Sequence, residues 1–148
     1  MVHALEKIYR LLKPDGMLID IHPVPEPPSI EARIGDRTIS AGWLKERNDY
    51  VEYDQADEAL AQAVARGLFA VERQGAFTFI LHGDTVEELR EYLADEWQDA
   101  SIDDITAMRA EEVLSTPERD KEVIVRESVR IARLRPIAEK PDFSRNAQ

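Results

Sequence analysis

The feature that most constrains the fold of this chain is a helix, a turn and a strand within its first 21 residues. Leu5, Ile8 and Leu12 recur at helical spacing, with charged residues on the other side of the helix. The turn at residues 14–16 reads Pro-Asp-Gly, which ends the helix because proline cannot continue the hydrogen-bond ladder and glycine tolerates positive φ. Residues 17–21 then form a short apolar strand. A helix that returns directly into a strand indicates an α/β fold.

The middle of the chain predicts a loop, a hairpin and a helix. Residues 23–29 contain four prolines and no periodicity, which predicts a loop. From Ile30 to Leu44 a weak alternation surrounds the hairpin signal Gly35-Asp36. A helix is predicted from Asn48 to Arg66, with Gly67 at its C-terminal cap. Its apolar stripe consists of Tyr50, Tyr53, Leu60 and Val64.

A strand region and two helices follow. Leu68 to His82 predicts either two strands joined by a tight turn at Gln74-Gly75 or one long bulged strand. Residues 85–88 form a capping box for a helix that runs to Trp97 and buries Val86, Leu89, Leu93 and Trp97. A second, weaker helix is predicted from a start signal at residues 101–104 to about Leu114.

The last predicted element is a strand over residues 122–134. Val123, Val125, Val129 and Ile131 would share one face, and Arg126, Ser128 and Arg130 the other. The same stretch is also compatible with a helix, and we favour the strand because branched residues dominate it. We expect a single α/β domain over residues 1–135 and a flexible tail over 136–148.

The composition excludes several classes of function. The formal net charge of -11 argues against a nucleic acid or an anionic membrane as the main partner. The chain has no cysteine, which excludes disulfides, thiolate metal sites and cysteine nucleophiles. No apolar run approaches the ~20 residues of a membrane span. The N-terminus lacks the basic-then-apolar order of a signal peptide, so we expect a cytoplasmic protein.

Two histidines are candidate site residues because each lies at the end of a predicted strand. Ligands of open α/β sheets bind beyond the carboxyl ends of parallel strands, so His22 or His82 could serve as a general base or hydrogen-bond donor. A histidine that merely ends a strand is the competing interpretation. By residue type, the two histidines with Asp20, Glu26 or Asp84 could ligate a metal. No local spacing motif supports such a site, and we predict none.

Aromatic residues are weaker candidates for the substrate side. Trp43, Tyr50 and Tyr53 could line an apolar pocket. They could equally belong to the core, which we favour because Tyr50 and Tyr53 share the apolar stripe of the predicted helix. Trp43 and Tyr53 nevertheless remain weak candidates for the substrate side, beside the two histidines.

A basic stripe in an acidic chain is the last candidate feature. It consists of Arg126, Arg130, Arg133 and Arg135. These arginines could bind an anion or pair with neighbouring carboxylates, and we favour pairing. The acidic residues of the helix over 85–97 indicate a solvated face rather than paired catalytic acids.

Residues 4–20 resemble a late motif of class I S-adenosylmethionine-dependent methyltransferases. In that family a helix ending in R-x-L-K-P-G-G leads into the fifth strand of the sheet. Residues 10–16 of this chain read Arg-Leu-Leu-Lys-Pro-Asp-Gly, with Asp15 in place of the first glycine. The resemblance implies a partial Rossmann-like sheet that holds the last three strands of the family, with flanking helices and a two-helix insertion over 85–114.

The same resemblance implies that the cofactor-binding half is missing. In the family the first strand, a glycine-rich loop and an acidic residue after the second strand bind the cofactor. This chain has only six glycines and no G-x-G motif. No cofactor-binding residue can be assigned, so S-adenosylmethionine enters only through the resemblance and no cofactor is expected for this chain alone.

The resemblance implies a methyltransferase-like protein that is not catalytic alone. It would be a fragment or one piece of a split enzyme, and its family would methylate a small molecule. A non-enzymatic α+β binding or structural module is the alternative. A parallel neighbour of the strand over 17–21 and an antiparallel final strand would favour the first hypothesis, and a simple sheet meander would favour the alternative. A methyltransferase assembled between chains and an enzyme of another class using His22 or His82 remain further alternatives. In the family the fifth strand pairs with the fourth, for which the resemblance finds no counterpart in this chain. Met17–Ile21 would then be an exposed apolar edge. We therefore expect a homodimer, or a separate chain carrying the N-terminal half, to pair with it.

Overall fold

A computed structural model describes residues 1–48 and 50–137 of the chain. These residues form four helices: α1 Val2–Leu11, α2 Val51–Ala65, α3 Val86–Glu96 and α4 Asp104–Leu114. Their strands are β1 Leu18–Pro23, β2 Ser29–Ile34, β3 Arg37–Trp43, β4 Lys45–Glu46, β5 Phe69–Gly83, β6 Ala100–Ser101 and β7 Lys121–Pro136. The predicted α/β fold is therefore confirmed. None of these helices is long and apolar enough to cross a membrane.

The larger sheet is mostly antiparallel. Its strand order is β1–β7–β2–β3, and β5 also pairs with β7. β2 runs antiparallel to both of its neighbours, so that Ile34 lies opposite Arg37 of β3 and Lys121 of β7. The short strands β4 and β6 form a separate antiparallel pair. Because the neighbour of β1 is the last strand and not the next one along the chain, the sheet is not a simple meander.

The described residues form two compact units. The single domain expected over residues 1–135 stays a prediction. Unit 1 contains residues 1–22, 52–77 and 130–137, and unit 2 contains residues 23–51 and 78–129. The core of unit 1 is built on Phe69 and Leu134, which are almost fully buried, and α1 packs Leu5, Ile8 and Leu12 against it. The helical spacing of those three residues places them on one face, as the sequence predicted.

The core of unit 2 is formed by strand residues and the inner faces of α3 and α4. Ile30, Val123 and Val125 supply the strand side, and Leu89 and Leu93 supply the side of α3. The cap predicted for α3 is confirmed, since the Thr85 hydroxyl accepts a hydrogen bond from the Glu88 amide at 3.1 Å. Each of the large side chains in this core stabilises the fold by about 1.5–3 kcal/mol relative to exposure.

Several other sequence predictions are confirmed. The hairpin forms around Gly35-Asp36, and Gly67 adopts the positive φ of 70° expected at a helix C-terminus. Residues 121–136 form a strand and not a helix. The region after Leu68 is one continuous strand, β5, without a turn at Gln74-Gly75.

The structure corrects the limits of three predicted elements. Tyr50 is not part of α2: its φ of 64° breaks the helical path, and its hydroxyl donates to the Leu44 carbonyl at 2.7 Å. The loop predicted over 23–29 is shorter, because Pro23 ends β1 and Ser29 begins β2. α4 is capped by Asp103, whose carboxylate accepts from the Thr106 amide at 2.7 Å, whereas Ser101 belongs to β6.

Burial along β7 follows the predicted alternation only in part, because Ile124, between Val123 and Val125, is buried as well. In unit 2, Val123 and Val125 are buried as expected, but Ile131 in unit 1 is 36% exposed. There the neighbouring Ala132 and Leu134 are buried instead. A single alternation therefore does not describe the whole strand. Residues 138–148, most of the predicted tail, lie outside the described residues, and Pro136 still belongs to β7.

Candidate functional site

Unit 1 contains a cleft of about 620 Å³ with a cluster of polar side chains in its wall. β1 contributes Asp20 and His22, which point to the same side because they are two residues apart on a strand. α2 contributes Asp57, and β7 contributes Arg130. Four charged or ionisable side chains from three elements therefore converge on one cleft, which is the usual arrangement of a ligand site.

His22 is held between two carboxylates. Its Nδ1 lies 2.7 Å from Asp20 Oδ2, and its Nε2 lies 2.9 Å from Asp57 Oδ1. Only 11% of the His22 side chain is exposed. Ionised carboxylates only accept hydrogen bonds, so both contacts are satisfied together when both ring nitrogens carry a proton. The two contacts therefore fix the orientation of the imidazole ring.

Asp57 joins His22 to Arg130. While Asp57 Oδ1 faces His22, Asp57 Oδ2 accepts from Arg130 Nη1 at 2.5 Å. The two oxygens thus serve different donors, which restricts rotation of the carboxylate. Charge-assisted hydrogen bonds of this kind are about twice as strong as neutral ones. The result is a chain of four side chains in contact, from Asp20 through His22 and Asp57 to Arg130.

The remaining wall of the cleft is mostly apolar. Leu60, Ala61 and Val64 follow Asp57 by three, four and seven residues, so they lie on the same face of α2. Val71 of β5 and Ala132 of β7 also line the cleft. An apolar wall beside a few fixed polar groups suits a small organic ligand.

This geometry limits what His22 can do chemically. A general base needs a ring nitrogen that is unprotonated and within reach of the substrate. Both nitrogens of His22 already contact carboxylates, so the histidine acts first as a cross-link between β1 and α2. The arrangement fits orientation and charge recognition of a ligand better than proton abstraction.

The other predicted site residues lie elsewhere. In unit 2, His82 is 56% exposed and its Nδ1 lies 2.9 Å from Glu122 Oε2. Trp43 is 57% exposed, which makes the core interpretation wrong for this residue, and it lines a smaller cleft of about 210 Å³. Tyr53 lies on α2 in unit 1, one turn before Asp57. The function predicted for these residues stays a prediction.

His82 belongs to a cluster of charges in unit 2. Arg33 donates from Nε to Glu122 at 2.6 Å and lies 3.1 Å from Asp120. Hydrogen bonds from Arg33 lower the pKa values of both carboxyls, and those carboxylates raise the pKa of Arg33. This cluster ties β2 to β7 and leaves His82 as a surface member.

Two further carboxyl groups interact in unit 2. Burial and, to a smaller extent, the nearby Glu46 carboxylate together raise the pKa of Glu127 to about 7. Glu127 lies on β7 and Glu46 on β4. At neutral pH a fraction of Glu127 is therefore protonated, which makes this residue sensitive to pH.

No group of three or more histidine and acidic side chains in the described residues could hold a metal ion. Glu26, one of the acids considered as a metal ligand, lines the small cleft beside Trp43. Asp84 donates its backbone amide to the Glu88 carboxylate at 2.7 Å, at the start of α3.

The sequence missed Asp57 and Arg130 as members of the site. The available signal for Asp57 was its position on the apolar stripe of α2 between Tyr53 and Leu60. Arg130 was expected to pair with a carboxylate, and this pairing is confirmed. The same holds for Arg126 with Glu31, and for Arg133 and Arg135, which share Glu72.

Comparison with known proteins adds no relative: no protein-family model, curated protein or solved structure matches this chain significantly.

Proposed function

We propose that this chain is the acceptor-side part of a methyltransferase-like protein, which binds a small molecule in the cleft of unit 1 and does not transfer methyl groups alone. The observation that carries the proposal is the cleft at the end of β1, where His22 and Asp20 meet Asp57 and Arg130. The helix, turn and strand that resemble the family lead directly into this cleft.

The sheet supports the proposal only in part. β1 has the last strand as its neighbour, which a simple meander would not give. The mostly antiparallel pairing, in contrast, favours the second candidate, a non-enzymatic α+β binding or structural module. The proposal of a methyltransferase-like protein includes a Rossmann-like arrangement of the strands.

We also propose that another chain pairs with β1. β1 stands at one end of the strand order, and Met17, Ile19 and Ile21 are each about half exposed. Such an edge favours pairing with a second copy or with a separate chain that carries the cofactor-binding half. S-adenosylmethionine would then be bound by that other chain. A cytoplasmic location and the absence of nucleic-acid and membrane partners are further parts of the proposal.

Ligand-observed NMR tests the cleft. Saturation-transfer experiments would use small aromatic and aliphatic acids, amines and phenols as probes. We expect some probes to bind the wild-type chain and to be lost in Ala61→Trp, which fills the cleft from α2. Gln62→Trp adds the same side chain at an exposed neighbouring position and is the matched control. Binding that Ala61→Trp leaves unchanged, or no binding by any probe, contradicts the proposed site.

A chimera separates the two candidate functions. Residues 1–137 would be joined to the cofactor-binding half of a class I methyltransferase of known activity. The first candidate predicts a folded chimera that binds S-adenosylmethionine. The α+β module predicts two parts that fold independently, with no more cofactor binding than the borrowed half has alone.

A further inference from the structure

The side of the unit 1 strands that faces away from α1 and α2 carries exposed apolar residues. Leu18 packs in the core with α1, so its neighbour Ile19 points to the opposite side of β1. Ala132 and Leu134 of β7 are buried in the same core, so Ile131 also points away from it. Ile19 is 47% exposed and Ile131 is 36% exposed.

These residues line a groove that has an apolar floor and a basic rim. The groove has a volume of about 300 Å³, and Ile19 and Ile131 lie in it. Gly75 leaves its floor open, since a Cβ at this position would meet only the Ile131 side chain, at 3.9 Å. Arg73, Gln74 and Arg133 complete the lining.

The two arginines differ in their own partners. Arg133 Nε lies 3.0 Å from Glu72 Oε2, so its charge is partly compensated. Arg73 is exposed and has no ion-pair partner in the part of the chain that the structure describes. In a chain with a net charge of -11, an uncompensated arginine beside an apolar groove selects for an acidic and apolar partner.

We infer that this groove binds helix α4 of a second copy of the chain. α4 exposes two large apolar side chains, Ile105 at 60% and Met108 at 65%. They are three residues apart, so they form a stripe on one face of the helix. This apolar stripe is the counterpart of the apolar floor of the groove.

The charges around the stripe complement the rim of the groove. Arg109 and Glu112 follow Ile105 by four and seven residues, which puts both on the same face of α4, with Glu112 at its C-terminal end. Glu111 lies beside it, and both glutamates are exposed. A helix with apolar anchors at i and i+3 and acids at its end matches a groove with an apolar floor and a free arginine.

This inference rests on the proposed function, which makes the exposed side of β1 an interface. It names the partner surface, which the edge of β1 alone does not. Each copy offers both a groove and an α4 stripe, so the contact joins two different surfaces.

Sedimentation equilibrium of the full chain over a range of concentrations tests the inference. We expect reversible association of the wild type. Met108→Asp on α4 and Arg73→Glu in the groove should each weaken it by about tenfold or more, because an apolar anchor or a charge pair is lost. Tyr92→Asp on α3 and Arg119→Glu make the same changes on exposed residues outside both surfaces and should leave it unchanged.

A charge reversal makes the test specific. Combining Arg73→Glu with Glu112→Arg should restore association to within about threefold of wild type. Combining Arg73→Glu with Glu91→Arg, on α3, should not restore it. Ile105→Asp is the second α4 variant, and thermal melts establish that every variant is folded.

The outcomes separate this inference from the proposed function. Association that is weakened by Ile19→Asp but not by Met108→Asp, Ile105→Asp or Arg73→Glu overturns the inference and keeps an interface at β1. A chain that stays monomeric at all concentrations overturns the inference and also the homodimer in the proposed function. The ligand-binding experiments on the cleft are independent of both results.

Discussion

Replacing Glu127 with glutamine should stabilise the protein at alkaline pH and have little effect at acidic pH. Burial and the neighbouring Glu46 raise the pKa of Glu127 from 4.5 to about 7. Between these two values the folded chain binds more protons than the unfolded chain. The contribution of Glu127 to stability is therefore largest below about pH 4.5, falls as pH rises towards 7, and levels off above 7.

The size of the effect follows from the two pKa values. At 1.36 kcal/mol per pKa step, the difference between 4.5 and about 7 corresponds to about 3 kcal/mol. Glu127 is partly exposed, so solvent screening reduces this to about 1–2 kcal/mol. For a chain of 148 residues that gain corresponds to an increase in melting temperature of about 3–6 °C.

Urea denaturation and thermal melts of wild type and Glu127→Gln at pH 5 and pH 8 measure the effect. Most of the gain should appear at pH 8 and only a small part at pH 5. Glu91→Gln, an exposed glutamate on α3, controls for the change in net charge. A stabilisation that is equal at both pH values, or equal in the control, would refute the account of Glu127.

Three further substitutions test the packing of both units by the same denaturation assay. Gly42→Ala should cost about 1–3 kcal/mol, because its Cβ would lie 2.4 Å from Thr106 Oγ1, and a cost near zero contradicts this packing. Thr85→Ala removes the cap of α3 and should cost about 1 kcal/mol, whereas Thr85→Ser should cost much less. Asp57→Asn should cost about 1.5–3 kcal/mol because it weakens the contact with His22, and an unchanged midpoint would show that this contact adds no stability.

Local sequence patterns predicted most of the helices and strands because their causes are local. The turn at residues 14–16, the hairpin around Gly35-Asp36 and the cap at Thr85 each depend on the conformational preferences of a few adjacent residues. Tyr50 shows the limit of this reasoning. Its spacing fits the stripe of α2, but a hydrogen bond to Leu44 and a positive φ place it before the helix.

The pairing of strands was harder to predict. The alternation along β7 is broken near Ile131, because residues 121–129 and 130–136 pack in different units. An alternation of apolar residues shows which side chains share a strand face, but it does not specify which helix or strand packs against that face. The mostly antiparallel sheet depends on such long-range partners, which no local signal specifies.

The candidate site was predictable only on its β1 side. His22 and Asp20 share a strand face, and their positions at the end of β1 made them visible in the sequence. Asp57 and Arg130 are 35 and 108 residues away from His22 along the chain. Only the folded structure brings them together, and it also shows that both ring nitrogens of His22 contact carboxylates.

Titration of the purified full chain with S-adenosylmethionine in a calorimeter, with its molar mass measured by light scattering, tests the central claim most directly. The account predicts an associated chain that gives no saturable heat, since the residues for the cofactor belong to another chain. Saturable binding of S-adenosylmethionine by this chain alone would contradict the account and would restore an active methyltransferase assembled between copies.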